Sequence, residues 1–111
     1  MRDIRRYKTM ANYNGWTNYE TWNVALWLDN EEGSQSYYAE MAQECLKNAV
    51  STDYLTEKEV ATQNLSETIK AEFEENTPNV TGCYADLLNA SLSEVNWYEI
   101  ASNLIEDAQN E

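Results

Sequence analysis

Carboxylates are the side chains most able to do chemistry here, because the 111 residues include 20 acidic side chains, seven basic ones and no histidine. Without histidine the chain lacks the commonest general base, the usual serine-protease triad and most zinc sites. It also contains no glycine-rich phosphate-binding loop and no GxSxG nucleophile motif. We therefore predict a binding protein rather than an enzyme, with no catalytic residue and no cofactor.

One group of acids comes close to a calcium-binding pattern. Asp29, Glu31 and Glu40 occupy positions one, three and twelve of an EF-hand loop. However, Gly33 falls at position five, where an oxygen ligand belongs, and Ser34 replaces the glycine that the turn needs at position six. We predict instead that Gly33 ends a first helix in a left-handed turn, that Ser34 caps a second helix, and that no metal binds.

Charge is divided unevenly along the chain. Four of the seven cations lie within residues 1–13, which show no apolar periodicity and which we predict to be a flexible basic leader. From Thr9 onward, three lysines face 19 carboxylates, a net charge of −16. Such a surface repels phosphate backbones and anionic lipid and attracts basic proteins. We predict that residues 14–111 form a single acidic domain that binds neither nucleic acid nor membrane directly.

The spacing of some acids suggests how a partner could be recognised. Carboxylates four residues apart on a helix, such as Glu40 and Glu44, lie about 6 Å from each other. A rigid helical protein can therefore present an array of negative charges that resembles nucleic-acid phosphates. The predicted partner-binding residues are Asp29, Glu31, Glu32, Glu40, Glu44, Glu67, Glu72, Glu74 and Glu75.

Apolar residues recur at helical spacing in five stretches, and no alternating strand pattern of useful length appears. We predict an all-α fold, a compact bundle of about five helices. The expected helices cover about residues 18–29, 35–50, 56–76, 83–92 and 97–105, with residues 106–111 frayed.

Two capping-box spacings predict helix starts, one at Thr17 with Glu20 and one at Thr56 with Glu59. Asn18 competes with Thr17 as the cap of the first helix. That helix is apolar nearly all round, so we expect it to be central and buried, with its tryptophans in the core.

Cysteine use and the lack of long apolar segments indicate the compartment. Cys45 and Cys83 match no metal or redox spacing, and we predict that both are buried, unpaired thiols. No signal peptide is apparent, and the longest apolar run, Val24–Leu28, is too short to span a membrane. We therefore expect a cytoplasmic protein.

Two blocks of this sequence resemble a known family. "GWTNYETWNVALWLDNEEGS" (Gly15–Ser34) and "YADLLNASLSEVNWYEIASNLIED" (Tyr84–Asp107) are similar to small acidic, uncharacterised proteins of phages, plasmids and other mobile elements. The first block carries the more specific pattern. The resemblance implies a setting among antirestriction and other counter-defence genes, and it implies no catalytic residues.

This setting and the negative charge together lead to two hypotheses. The first is a phage- or mobile-element-encoded inhibitor that binds a host defence nuclease, either a CRISPR effector or a restriction complex. It would occupy the nucleic-acid-binding surface of that nuclease as a DNA mimic, in the cytoplasm of the host cell. The alternative is a non-mimetic interaction module, as a monomer or a homodimer, that binds through exposed aromatic side chains.

Overall fold

The computed structural model describes residues 13–110, which fold into five α-helices with no β-strand among them. The prediction of an all-α bundle of five helices is confirmed. The leader predicted for residues 1–13 lies outside the described residues, except for Tyr13. The helices are α1 (Tyr19–Asn30), α2 (Glu32–Asn48), α3 (Glu57–Glu75), α4 (Cys83–Ser93) and α5 (Trp97–Gln109).

Helices α3 and α5 form the centre of the bundle. Apolar side chains on α3, among them Leu65 and Ile69, pack against Ile100 and Ile105 of α5, and all four are almost completely buried. Helix α5 also contacts α1 and α2, and α2 packs along α3. The residues on α3 recur every four positions, which places them on one helical face and gives a continuous apolar seam.

Helix α1 lies at the side of the bundle, so the expectation that it would be central and buried was wrong. It buries Thr21, Val24 and Leu28, whereas Tyr19 is 52 % and Trp27 62 % exposed. The reason is tertiary: α1 packs mainly against α2 and α5. These two neighbours cover one side of a helix whose apolar residues extend nearly all round it.

Of the two predicted capping boxes, one forms and the other does not. The capping box at Thr56 and Glu59 is confirmed, with both reciprocal hydrogen bonds formed. At α1 the competing residue Asn18 is the cap, and its Oδ1 accepts from the Thr21 amide at 2.9 Å. The capping box expected at Thr17 was therefore wrong.

Polar contacts join the start of α1 to the start of α5. The Thr17 amide donates to Glu99 Oε1 at 3.1 Å, and Asn18 Nδ2 donates to the Glu94 carbonyl at 2.7 Å. The buried Thr21 hydroxyl oxygen accepts from the Asn96 amide at 2.8 Å. These bonds satisfy backbone donors at both helix starts and fix the first turn of α1 against α5.

The corner between α1 and α2 is tighter than expected. Glu31 alone separates the two helices, and its extended backbone (φ −95°, ψ 122°) changes the chain direction without a left-handed residue. Gly33 and Ser34 lie in the first turn of α2 and neither ends a helix nor caps one. The roles predicted for both residues were wrong, and no twelve-residue loop separates Asp29 from Glu40.

Helix α4 is the least embedded element, and α5 is longer than expected. No residue of α4 is buried, and Tyr84 and Leu87 are 75 % and 61 % exposed. Helix α5 continues to Gln109 and buries Ala108 against the core. The prediction that the chain frays from residue 106 onward was therefore wrong for residues 106–109.

The cysteines are more accessible than predicted. Cys45 is a half-buried free thiol on α2, and Cys83 is an exposed free thiol at the start of α4. The prediction that both would be buried was wrong: Cys83 lies on α4, which has no buried residue, and Cys45 packs only partly against the core.

Candidate partner-binding surfaces

Three of the predicted acids lie together where α1 meets α2. Asp29, Glu31 and Glu32, named here the acidic corner, are all exposed. Asp29 Oδ1 accepts a hydrogen bond from Gln35 Nε2 at 3.2 Å, which orients that carboxylate. The short connection through Glu31 brings the three side chains within one turn of chain, so the corner is a compact negative site.

Two further predicted acids lie on the exposed surface of α2. Glu40 and Glu44 are exposed and line a shallow groove with Tyr37 on the same helix and Asn64 on α3. Their four-residue spacing places their Cβ atoms about 6 Å apart along the helix. This pair is the part of the predicted array that a helix holds at fixed spacing.

Helix α3 turns its acids in more than one direction. Glu67 and Glu74 are seven residues apart and share a helical side, while Glu75 is rotated about 100° from Glu74. All three are exposed. Glu74 and Lys70 line a groove beside α4, so a lysine partly offsets the charge there. The nine predicted acids therefore occupy several surfaces of the bundle.

Glu72 differs from the other eight acids because it joins α2 to α3. One of its carboxylate oxygens accepts from the Tyr37 hydroxyl at 2.6 Å, and the other accepts from the Tyr38 hydroxyl at 3.0 Å. Tyr38 is buried, and its ring packs edge to face with that of Tyr37, with the ring centroids 4.9 Å apart. Glu72 is half-buried, and each of its carboxylate oxygens already accepts a hydrogen bond from a tyrosine of α2.

These contacts shift the titration of both phenols. Burial, followed by the hydrogen bond to Glu72, raises the pKa of Tyr38. The hydrogen bond to Glu72 is the main cause that raises the pKa of Tyr37. In both cases the negative carboxylate disfavours a second negative charge on a neighbouring oxygen.

We predict that the free energy of unfolding falls as pH rises above about 10, the usual pKa of an unfolded tyrosine. In this range the unfolded chain loses phenolic protons that the folded protein keeps, so alkali favours unfolding. Urea denaturation over this range should show a smaller loss for Tyr38→Phe than for the wild type. Tyr54→Phe is the control, because Tyr54 is 92 % exposed. Equal pH dependence in wild type and Tyr38→Phe would contradict the prediction.

Few of the acids are neutralised within the fold. Among residues 13–110 a single ion pair forms, between Lys58 Nζ and Glu106 Oε2 at 3.4 Å, and both side chains are about half exposed. The other two lysines in this range are Lys47 and Lys70. Most carboxylates of the described surface therefore face solvent without a cation, which leaves a strong negative field around the bundle.

The structure also reveals an apolar groove that the sequence analysis missed. It lies between α1 and α5, with a volume of about 300 Å³. Apolar side chains and two carboxylates contribute to its lining. The residues that line the groove include Trp16, Trp22, Leu26, Leu104, Asp29 and Asp107. We call this the α1–α5 groove; the aromatic richness of residues 16–28 was the only sequence signal for it.

A second apolar surface lies on the other side of α1. Trp27 shares a pocket with Leu88 and Leu92 of α4. Tyr84 is four residues before Leu88 and lies on the same side of α4. We call Trp27, Tyr84, Leu87 and Leu88 the α4 surface. Residues 77–93 carry one charged side chain, Asp86, so this surface is nearly neutral on a strongly acidic protein.

A model of a protein family matches residues 9–110, which include all five helices. The chain belongs to this family, a family of unknown function (DUF7249). Comparison with curated proteins and with solved structures gave no significant match. Within residues 13–110, no helix of this DUF7249 member is long and apolar enough to cross a membrane. Membership leaves the activity open, so the function must be argued from the surfaces described above.

Proposed function

We propose that this DUF7249 protein is an acidic inhibitor, encoded by a phage or another mobile element, that binds a host defence nuclease. The nuclease would be a CRISPR effector or a restriction complex, and the inhibitor would occupy its nucleic-acid-binding surface in the host cytoplasm. The proposal is one of binding rather than catalysis. It assigns contact to the acidic corner and to Glu40 and Glu44, with Glu67, Glu74 and Glu75 extending the surface.

One observation carries this proposal: unpaired carboxylates dominate the described surface. Three lysines stand against 19 acids from Thr9 onward, and residues 13–110 contain one ion pair. Holding so many like charges on a small bundle costs stability through self-repulsion. A basic groove that normally holds nucleic acid would relieve this repulsion. That complementarity also favours fast, salt-dependent association.

A direct test measures DNA cleavage by a purified restriction complex and by a CRISPR effector while the acidic protein is titrated. We expect inhibition that added DNA relieves, because both compete for one surface. Affinity measured from about 50 mM to about 300 mM NaCl should fall steeply as the Debye length shortens. Polyglutamate of equal net charge is the control for non-specific polyanion effects. Equal inhibition by polyglutamate, or no inhibition of either nuclease class, would refute the proposal.

The α4 surface favours a second candidate function, a non-mimetic interaction module. Trp27, Tyr84 and Leu87 are each more than half exposed, and the surrounding stretch is nearly uncharged. Large exposed apolar side chains grouped on one side of a small protein are typical of protein–protein contact sites. Binding through this surface would change little with salt. Sedimentation would detect a homodimer if a second copy is the partner.

A further inference from the structure

The α1–α5 groove combines two chemical features that suit the same ligand group. Trp16 and Trp22 supply aromatic surface, and both are half-buried, so each is partly open to solvent. Asp29 and Asp107 supply negative charge from opposite helices. Among residues 13–110, no cationic side chain lines the groove.

This pairing of aromatic rings with carboxylates selects for a cation with a flat or apolar body. A guanidinium group attracts the face of an indole ring and donates paired hydrogen bonds to a carboxylate. Its weak hydration, compared with that of an ammonium group, suits a partly apolar site. Phosphates and carboxylates are excluded, because Asp29 and Asp107 would repel them. The aliphatic stem of an arginine can also cover Leu26 and Leu104.

The two carboxylates differ in the hydrogen bonds that they already accept within the fold. Gln35 Nε2 donates to Asp29 Oδ1 and leaves the second oxygen of that group available. The carboxylate of Asp107 has no hydrogen-bond or ionic partner among residues 13–110. Carboxylate oxygens that can accept further hydrogen bonds therefore lie beside aromatic rings, and an arginine side chain would contact both the oxygens and the rings.

We infer that the α1–α5 groove binds an arginine side chain of the basic partner, flanked by an apolar residue. This assignment rests on the proposed function, because it identifies which chemical group of the nuclease the acidic protein recognises. It adds a specific, partly buried contact to an interface that is otherwise made of exposed charges. Contacts that fill a pocket contribute more to affinity than exposed rim charges do.

The probe is a short amidated peptide of alternating arginine and leucine, and its binding is followed by calorimetry and by the NMR signals of the tryptophan indole groups. We expect replacement of arginine by citrulline, which keeps the shape and removes the charge, to weaken binding at least about tenfold. Asp29→Asn combined with Asp107→Asn should weaken it similarly. The matched control is Asp53→Asn with Glu94→Gln, two exposed acids outside the groove, which should change affinity less than about twofold.

Equal weakening by the groove pair and the control pair would overturn the inference, since general electrostatics would then explain binding. Indole shifts confined to Trp27 or Trp97 would also overturn it. Nuclease assays separate the two proposals. If Asp29→Asn/Asp107→Asn inhibits as well as wild type, the groove assignment fails and the proposed function stands. If the peptide binds the groove but no nuclease is inhibited, the groove remains a cation site and the proposed function fails.

Discussion

Charge reversal at Glu31, Glu32, Glu40 and Glu44 is expected to weaken nuclease binding roughly a hundredfold at low salt and leave the five-helix fold intact. All four side chains are exposed, and none forms an ion pair among residues 13–110. Substitution by lysine therefore removes no internal contact described for the fold. It replaces attraction for a basic groove by repulsion at four points of the proposed interface.

The size of the effect follows from the energy of exposed charges. An exposed ion pair contributes about 0.2–1 kcal/mol, and reversal both removes that attraction and adds repulsion. Four positions together give about 3 kcal/mol, or roughly a hundredfold loss of affinity at low salt. Surface plasmon resonance at about 50 mM salt measures the loss, and circular dichroism verifies the fold. Because the bundle also loses self-repulsion, its melting temperature should not fall.

The control is a variant with the same change in net charge at other exposed acids, namely Asp53, Glu57, Asp86 and Glu94. This variant should keep most of the affinity, because these residues lie outside the acidic corner and outside α2. If both variants lose affinity equally, total charge rather than a defined surface determines binding. If neither loses affinity, the partner does not contact the acidic corner.

Local sequence signals predicted the helices well, because each depends on residues a few positions apart. The capping box at Thr56 needs only Glu59, and both lie in the same turn. The choice between Thr17 and Asn18 depended on distant residues. Thr17 donates to Glu99, which is 82 positions away, and Asn18 reaches Glu94. Helix periodicity cannot contain that information.

The candidate surfaces were predictable only in part, for a similar physical reason. Composition identified the exposed acids, because a carboxylate rarely lies in a core without a partner. The internal role of Glu72 depends on Tyr37 and Tyr38, which approach it only after α2 packs on α3. The α1–α5 groove joins Asp29 to Asp107 from opposite ends of the sequence.

Leu65→Ala is expected to lower the free energy of unfolding by about 2–5 kcal/mol, a large part of the total stability of a domain of this size. Leu65 is fully buried where α3 packs against α5, so truncation leaves a cavity that close neighbours cannot fill. Urea denaturation monitored by circular dichroism measures the loss. The comparison variant is Trp27→Ala, which should cost less than about 1 kcal/mol because Trp27 is 62 % exposed.

This pair of variants tests which helix is central. If α1 were central, as its apolar sequence suggested, Trp27→Ala would cost about 3–5 kcal/mol, as do truncations of buried aromatic residues. A larger loss for Trp27→Ala than for Leu65→Ala would thus contradict the fold. Folded Trp27→Ala protein also separates the two proposed functions. Unchanged, salt-dependent nuclease binding supports mimicry through the acids, whereas lost binding with retained stability supports the module that binds through the α4 surface.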